Sequence, residues 1–354
     1  MKNRFKKLLV LLVLPMCVLV TQPVMAAKDS FKVAWTIYVG WMPWDYANNA
    51  GIVKKWADKY GIEIEVTQIN DYVESINQYT SGGFDACVMT NMDALTIPSA
   101  SGVDSTALIV GDFSNGNDAV ILKNKKKLKD IKGQKVNLVE LSVSHYLLAR
   151  GLESVGLTEK DIKVVNTSDA DMVAVYGTKD VSAVTTWNPL VSEIMNMPGS
   201  NKVFDSSQIP GEIIDLMVVN TETLKKNPKL GKALTGAWYE IMAVMSGKDK
   251  KAKDAKTAMG KASGTDLKGY NSQLASTKMF YKAADAVTFT KSKALKSTMA
   301  KVAKFSFEHG LLGDGAPDAE FIGIETPAGV YGDKKNVKLR FNPSFMQMAA
   351  DGKL

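Results

Sequence analysis

Two hydrophobic rhythms alternate along the chain. Short apolar or period-two runs, which predict strands, are followed by segments with apolar residues three and four apart, which predict helices. From Phe31 this gives a strand at 32–38 and a helix at 47–60, closed by Gly61. Ile62-Glu-Ile-Glu-Val66 then alternates strictly, as a half-buried strand does. A helix carrying Val73, Ile76 and Tyr79 stops at Gly82-Gly83, and the run 84–89 opens into the polar corner Thr90-Asn91-Met92-Asp93. A helix at 94–100 and strands at 106–110 and 119–122 follow. The lysine-rich run 123–133 is a solvated connector on its charge. After it the rhythm restarts with strand 135–140, helix 144–155, strand 163–165, helix 171–176 and strand 181–186. Leu148, Leu152 and Val155 give that first helix its core face, and Gly156 its left-handed stop. A strand at 216–220, helices from Glu222 and after Pro228, a helix at 291–309 and a hairpin across 330–339 complete the pattern.

Strand–helix alternation of this length predicts an α/β fold. The restart resembles an internal repeat: Gly83-Phe-Asp-Ala86 with Thr90-Asn91 corresponds to Asp180-Val-Ser-Ala183 with Trp187-Asn188. Two doubly wound β-α-β-α-β lobes are therefore expected, each ending its third strand in a polar corner. In open α/β sheets ligands sit beyond the carboxyl ends of the strands, so two such lobes face each other across a cleft.

Composition changes this picture at the start of the chain. Lys2, Arg4, Lys6 and Lys7 precede the apolar run 8–20 and the small-residue site Val24-Met25-Ala26, the pattern of an export signal over residues 1–27 cleaved near Ala26. A lipoprotein signal at Leu14-Pro15-Met16-Cys17 is the alternative, disfavoured by the bulk of Met16. The segment carries four basic residues and no acidic one, so its removal takes the net charge from +7 to +3. That modest charge asks for no nucleic acid. Cys87 is then the single cysteine and lies in an apolar run, which predicts an inert buried thiol. With two histidines and no local Cys/His cluster, neither a metal nor a cofactor is expected.

Candidate chemistry gathers at the predicted corners. The stretch 35–46 holds Trp35, Trp41 and Trp44, with Tyr38, Tyr46 and Asp45 among them. Aromatic faces beside a carboxylate suit a small cation, although aromatic rings equally fill cores. Trp35, Trp44 and Asp45 are the candidate wall of the first lobe, with Tyr38 and Trp41 at its lip. Thr90, Asn91 and Glu212 are candidate polar contacts. Glu140, Ser142, Trp187 and Asn188 would line the second lobe. Asp45, Asp93 and Ser142 read also as helix caps, and Asp112 and Asp215 as groups stabilising a hinge.

Gly83-Phe-Asp-Ala-Cys87, Leu128-Lys-Asp-Ile-Lys-Gly-Gln-Lys-Val136 and Trp187-Asn-Pro189 together resemble the periplasmic substrate-binding proteins of nitrate, sulfonate and taurine ABC importers. The tail Gly332-Asp-Lys-Lys-Asn-Val-Lys-Leu-Arg-Phe341 is similar to the sub-branch encoded beside urea carboxylases. The resemblance covers the mature chain. It implies a type II periplasmic binding fold, with lobe one at 28–123 plus 214–354 and lobe two at 124–213. Two crossover strands would pass near 122–127 and 212–215, and the lobes would close about that hinge.

It implies a monomer in the periplasm that captures a small-molecule ligand and passes it to an inner-membrane permease with its ATPase. For the sub-branch the ligand is guanidinium or urea. The candidate corners are rich in carboxylate and poor in arginine, which favours a cation over nitrate, taurine or an alkylsulfonate. Two further readings share the fold: an enzyme like the pyrimidine synthase of thiamine biosynthesis, and a sensor module serving a receptor.

Overall fold

The computed structural model describes residues 29–354, so the expected export signal lies outside the described residues. Strands β1 (Ser30–Trp35), β2 (Glu63–Gln68), β3 (Ala86–Thr90) and β4 (Ser105–Ser114) build the centre of a first sheet. Strands β5 (Ala119–Lys123), β6 (Lys135–Leu138), β7 (Lys163–Asn166), β8 (Ala183–Thr186) and β9 (Ser200–Asp205) form a second. The chain then returns to the first with β10 (Ile214–Asn220), β11 (Thr277–Met279), β12 (Gly323–Thr326), β13 (Gly329–Tyr331) and β14 (Val337–Phe341).

The first sheet runs β13-β12-β14-β4-β10-β3-β1-β2 with β11 beside β4, and the second runs β7-β6-β8-β5-β9. Both follow one plan. β1 lies parallel between β2 and β3, and β6 lies parallel between β7 and β8. An antiparallel strand then flanks the third member of each set, β10 beside β3 and β5 beside β8. The short sequence repeat thus falls on equivalent strands, and Thr90 and Trp187 stand at equivalent carboxyl ends.

The lobes are joined at 115–118 and 206–213. The first passage comes earlier than the expected 122–127, because β5 hydrogen-bonds to β8 and β9 and so belongs to lobe two. An apolar run announces a strand but not its sheet, and the lysines after it only mark where β5 reaches the surface. A second departure lies in the aromatic stretch. Helix α1 (Met42–Asn49) starts five residues before the expected helix and α2 (Ile52–Tyr60) follows it. Pro43 occupies the first turn, where a missing N–H costs nothing, and Gly51 at φ 73° breaks the two apart.

Four further helices bear on the cleft: α3 (Tyr72–Thr80), α4 (Asn91–Ala94), α5 (Val143–Ser154) and, after α6 (Pro228–Ser246), α7 (Lys293–Glu308). α5 packs on β5, β8 and β9, whereas α7 packs on α4, β12 and β13. α6 buries Leu234, Trp238, Ile241 and Met245 against the first sheet. No helix among the described residues is long and apolar enough to cross a membrane.

Candidate functional site

Where the carboxyl ends of β3 and β8 meet, the lobes enclose a cavity of about 20 Å³, counted as room for the centre of a water molecule. Its walls are aromatic. Tyr38 and Trp41 come from the loop after β1, Tyr72 from the first turn of α3, and Trp187 from the corner after β8. Tyr38 and Trp41 meet edge-on at 4.9 Å between centroids, Trp41 and Tyr72 lie 5.7 Å apart, and Tyr72 meets Trp187 across the lobes at 5.7 Å. Its polar lining is Thr90, Asp118 and Asp215, with Val143 and Ile213 completing the enclosure. Among the described residues no lysine or arginine lines it.

Four buried aspartates surround this space. Asp118 and Asp215 line it, while Asp93 and Asp112 hold its lining residues from behind. Tyr72 Oη donates to Asp93 Oδ2 at 2.6 Å and accepts the Thr90 N–H at 3.0 Å; Thr90 Oγ1 donates to the same Asp93 oxygen at 2.7 Å. Tyr38 Oη donates to Asp112 Oδ1 at 3.0 Å. Gly40 permits this approach, since a β-carbon there would come within 2.6 Å of Asp112 Oδ2. Asp112 and Asp215 are directly opposed in the β4–β10 ladder. Among the described residues Asp93 Oδ1, Asp112 Oδ2 and Asp215 Oδ2 are buried without a hydrogen-bond donor.

Burial without a cation sets the electrostatics. It lifts the Asp93 carboxyl to about 6, opposed by the hydroxyls of Tyr72 and Thr90. It lifts Asp118 to about 7, opposed by the Ser114 hydroxyl. Burial raises both Asp112 and Asp215; the charge of Asp118 adds to each, and Asp112 raises Asp215 further while the bond from Asp215 opposes the rise of Asp112. As carboxylates their facing oxygens lack a donor; with one proton between them they pair. The same burial raises Tyr38 and Tyr72, so both phenols stay donors. The site therefore holds either protons or a cation.

The structure brings two of the expected residues, Thr90 and Trp187, to this cavity. Tyr38 and Trp41, expected at the lip, form its walls. Trp35 is buried in the core at the end of β1. Trp44 lies behind Trp41, stacked on Trp238 at 5.3 Å, so the first-lobe wall is one turn away from where it was expected. Asp45 is turned to the surface, bonded to Asn49 at 3.0 Å and capping nothing. Asn91 straps the second passage, donating to Glu212 O at 3.1 Å and accepting the Ile214 N–H at 3.0 Å.

Glu140 is exposed, because β6 ends at Leu138 and Leu141 turns the chain at φ 64°. Ser142 caps α5, accepting the Ser144 N–H at 3.2 Å, and does not line the cavity. Asn188 joins the lobes instead: its N–H donates to Asn117 Oδ1 at 3.0 Å and its Nδ2 to Ser276 at 3.3 Å. Glu212 is the hub of an ion cluster with Tyr146 (2.6 Å), Arg150 (2.9 Å) and Lys301 (2.7 Å).

Sequence reasoning missed Tyr72 and Asp118. Asp71-Tyr72 follows an ordinary capping pattern, and Asp118 sits in a passage taken for a turn between strands of one lobe. Repeat equivalence pairs Trp187 with Thr90 and so pointed to neither Tyr72 nor Asp118; Tyr72 follows β2 and reaches the cavity from the first turn of α3. Away from the cavity, His145, Glu159 and His309 bring metal-ligand-type atoms within 4.8 Å of one another, a grouping that no local sequence cluster announces.

Comparison with known proteins agrees with this architecture. The periplasmic aliphatic sulphonate binding protein of Escherichia coli superposes with a TM-score of 0.67 at 17% identity, covering 81% of this chain and 94% of that one. The periplasmic nitrate-binding protein of Synechocystis PCC 6803 gives 0.57 at 14% identity, covering 92% and 99%. In sequence, the taurine-binding periplasmic protein of Escherichia coli K12 is 24% identical over 130 residues, 36% of this chain and 40% of that protein's length. The fold is that of the two-lobed periplasmic binding proteins. The model of the NMT1-like family matches residues 34–259, well over half of the sequence, and the chain belongs to that family.

Proposed function

We propose that this protein is the periplasmic solute-binding component of an ABC importer and that its lobes close on a small planar cation of the guanidinium class. The observation that carries this reading is the set of buried carboxylate oxygens without donors around an aromatic cavity that, among the described residues, no basic side chain lines. A guanidinium ion offers five or more N–H donors in one plane, which suits divergent carboxylates, and its face suits Trp41, Tyr72 and Trp187. The taurine, sulphonate and nitrate binders named above support the transport role. A sulfonate or nitrate group would be opposed here by the aspartates around the cavity. About 20 Å³ leaves room for a few heavy atoms and excludes an alkyl chain unless the lobes part. Urea fits the same walls when the aspartates carry protons, so it is the second ligand of this reading.

Catalysis on the same fold finds less support. The Cys87 thiol is fully buried and pushed up to about 12 by burial, and neither histidine lines the cavity. Delivery to a permease and its ATPase, and action as a monomer, follow from the transport role.

Calorimetry of the mature protein against guanidinium, urea, nitrate, taurine and an alkylsulfonate tests the proposal. Guanidinium is expected to bind most tightly. Tight binding of nitrate, taurine or the alkylsulfonate, with none for guanidinium, overturns it.

A further inference from the structure

We propose that the seam between α5 and the end of α7 is a proton-operated latch, in which protonated His309 of lobe one grips Glu159 of lobe two and favours the closed arrangement. Glu159 sits in the turn between α5 and β7, and His309 directly follows α7. His309 Nε2 lies 2.9 Å and 3.0 Å from the two Glu159 oxygens, and its Nδ1 lies 2.8 Å from the Phe305 carbonyl oxygen. A carbonyl accepts only, so Nδ1 carries a proton. A neutral ring would then turn the Nε2 lone pair toward a carboxylate. Only the imidazolium satisfies both sides. Phe305 stacks on the ring at 4.0 Å and holds it in this position.

His145 completes the group, with Nε2 at 3.3 Å from Glu159 Oε1. These distances resemble those between ligands of a metal ion, but His145 Nδ1 accepts the Leu141 N–H at 3.2 Å. The proton of a neutral His145 ring therefore sits on Nε2, the atom a metal would need bare. The occupant of the group is a proton.

The charged and titratable groups facing His309 are Glu159 and Lys160 from the turn, His145, Tyr146, Arg150 and Glu153 from α5, and Lys301, Lys304 and Glu308 from its own helix. The bond to Glu159 raises His309 above the ordinary 6.5, and the two histidines hold Glu159 down at about 2 despite its partial burial. The sign follows. A group with its pKa raised in the closed form contributes fully below 6.5 and is lost as pH rises through the raised value. The neighbouring Glu212 cluster is paired with Arg150 and Lys301 and contains no histidine.

The test is small-angle scattering of the mature, ligand-free protein from pH 5.5 to 8.5, with circular dichroism confirming the fold. The wild type is expected to open as pH rises, the closed-to-open ratio falling roughly threefold or more. His309→Gln and, independently, the half-exposed Glu159→Gln should make that profile shallower than the wild type's, the slope that remains belonging to the cavity carboxyls. Profiles identical in wild type and both variants, or closure on raising pH, overturn the latch. One equivalent of Zn²⁺ at pH 7.5 should leave the wild type unchanged; closure that His309→Gln abolishes would make the occupant a metal and overturn it as well.

Discussion

The ligand cavity and the α5–α7 seam both bury carboxylates between the lobes, and their carboxyls shift in opposite directions. In the seam Glu212 is held down by Arg150, Lys301 and Tyr146 against its burial, and Glu159 falls to about 2 beside two imidazoles. In the cavity Asp93 rises to about 6 and Asp118 to about 7, because burial there meets hydroxyls and amides but no cation. One physical rule covers both: a carboxylate removed from water needs positive charge or a proton. The chain supplies that charge in the seam. In the cavity it leaves the charge to be brought in, which is the strongest argument for a cationic ligand.

The comparison breaks most sharply at Asp215, which lines the cavity opposite Asp112. Asp215→Asn should lower guanidinium affinity about a hundredfold or more, since loss of one partner of a buried ion pair costs about 3 kcal/mol. The same change should raise the thermal midpoint of the ligand-free protein above pH 7, because it removes a repulsion that otherwise only a proton or the ligand relieves. Affinity measured by calorimetry that stays unchanged would separate Asp215 from the ligand.

The pH dependence is next in size. Cation binding expels protons from carboxyls whose pKa values are raised to about 6 and 7, so guanidinium affinity should fall as pH drops from 8 to 5.5, by about tenfold per unit for each proton released. Over the same range ligand-free stability should move the other way. A raised carboxyl pKa means the folded state binds more protons than the unfolded one, so stability falls as pH rises through about 6 to 7. A guanidinium affinity that grows on acidification contradicts this account of the cavity.

Trp187→Ala removes the aromatic wall that lobe two contributes and should weaken guanidinium about tenfold, the scale of one partly desolvated cation–π contact. A larger loss for urea than for guanidinium would assign the ring to shape alone. The smallest effect is expected at Glu140. Its side chain is exposed beyond β6, so Glu140→Gln should change affinity less than twofold. A larger change would bring lobe two's surface carboxylate into the site.

How far the residues announced this arrangement differs from corner to corner. The repeat at 83–91 and 180–188 was readable because strand period and turn residues are local, and it located Thr90 and Trp187 at opposed strand ends. The aromatic stretch was readable as important but not as to which ring faces ligand. That choice depends on the start of α1 at Met42, which turns Trp44 onto Trp238 and leaves Trp41 at the cavity. Glu140 and Glu212 were credible ligands as carboxylates near strand ends. One is turned outward by a single left-handed residue, and the other is neutralised by cations from two separate helices.

The α/β class, the doubled lobe plan and the excess of acid over base at the corners were legible along the chain, because periodicity and composition are properties of neighbouring residues. Which acids go without a cation depends on packing between distant segments. Asp112 meets Asp215 through strand pairing, Asp93 meets Tyr72 across α3 and α4, and Glu159 meets His309 across the lobes. Charge neutralisation is settled within a few ångströms by residues tens to hundreds of positions apart, and no local pattern records it.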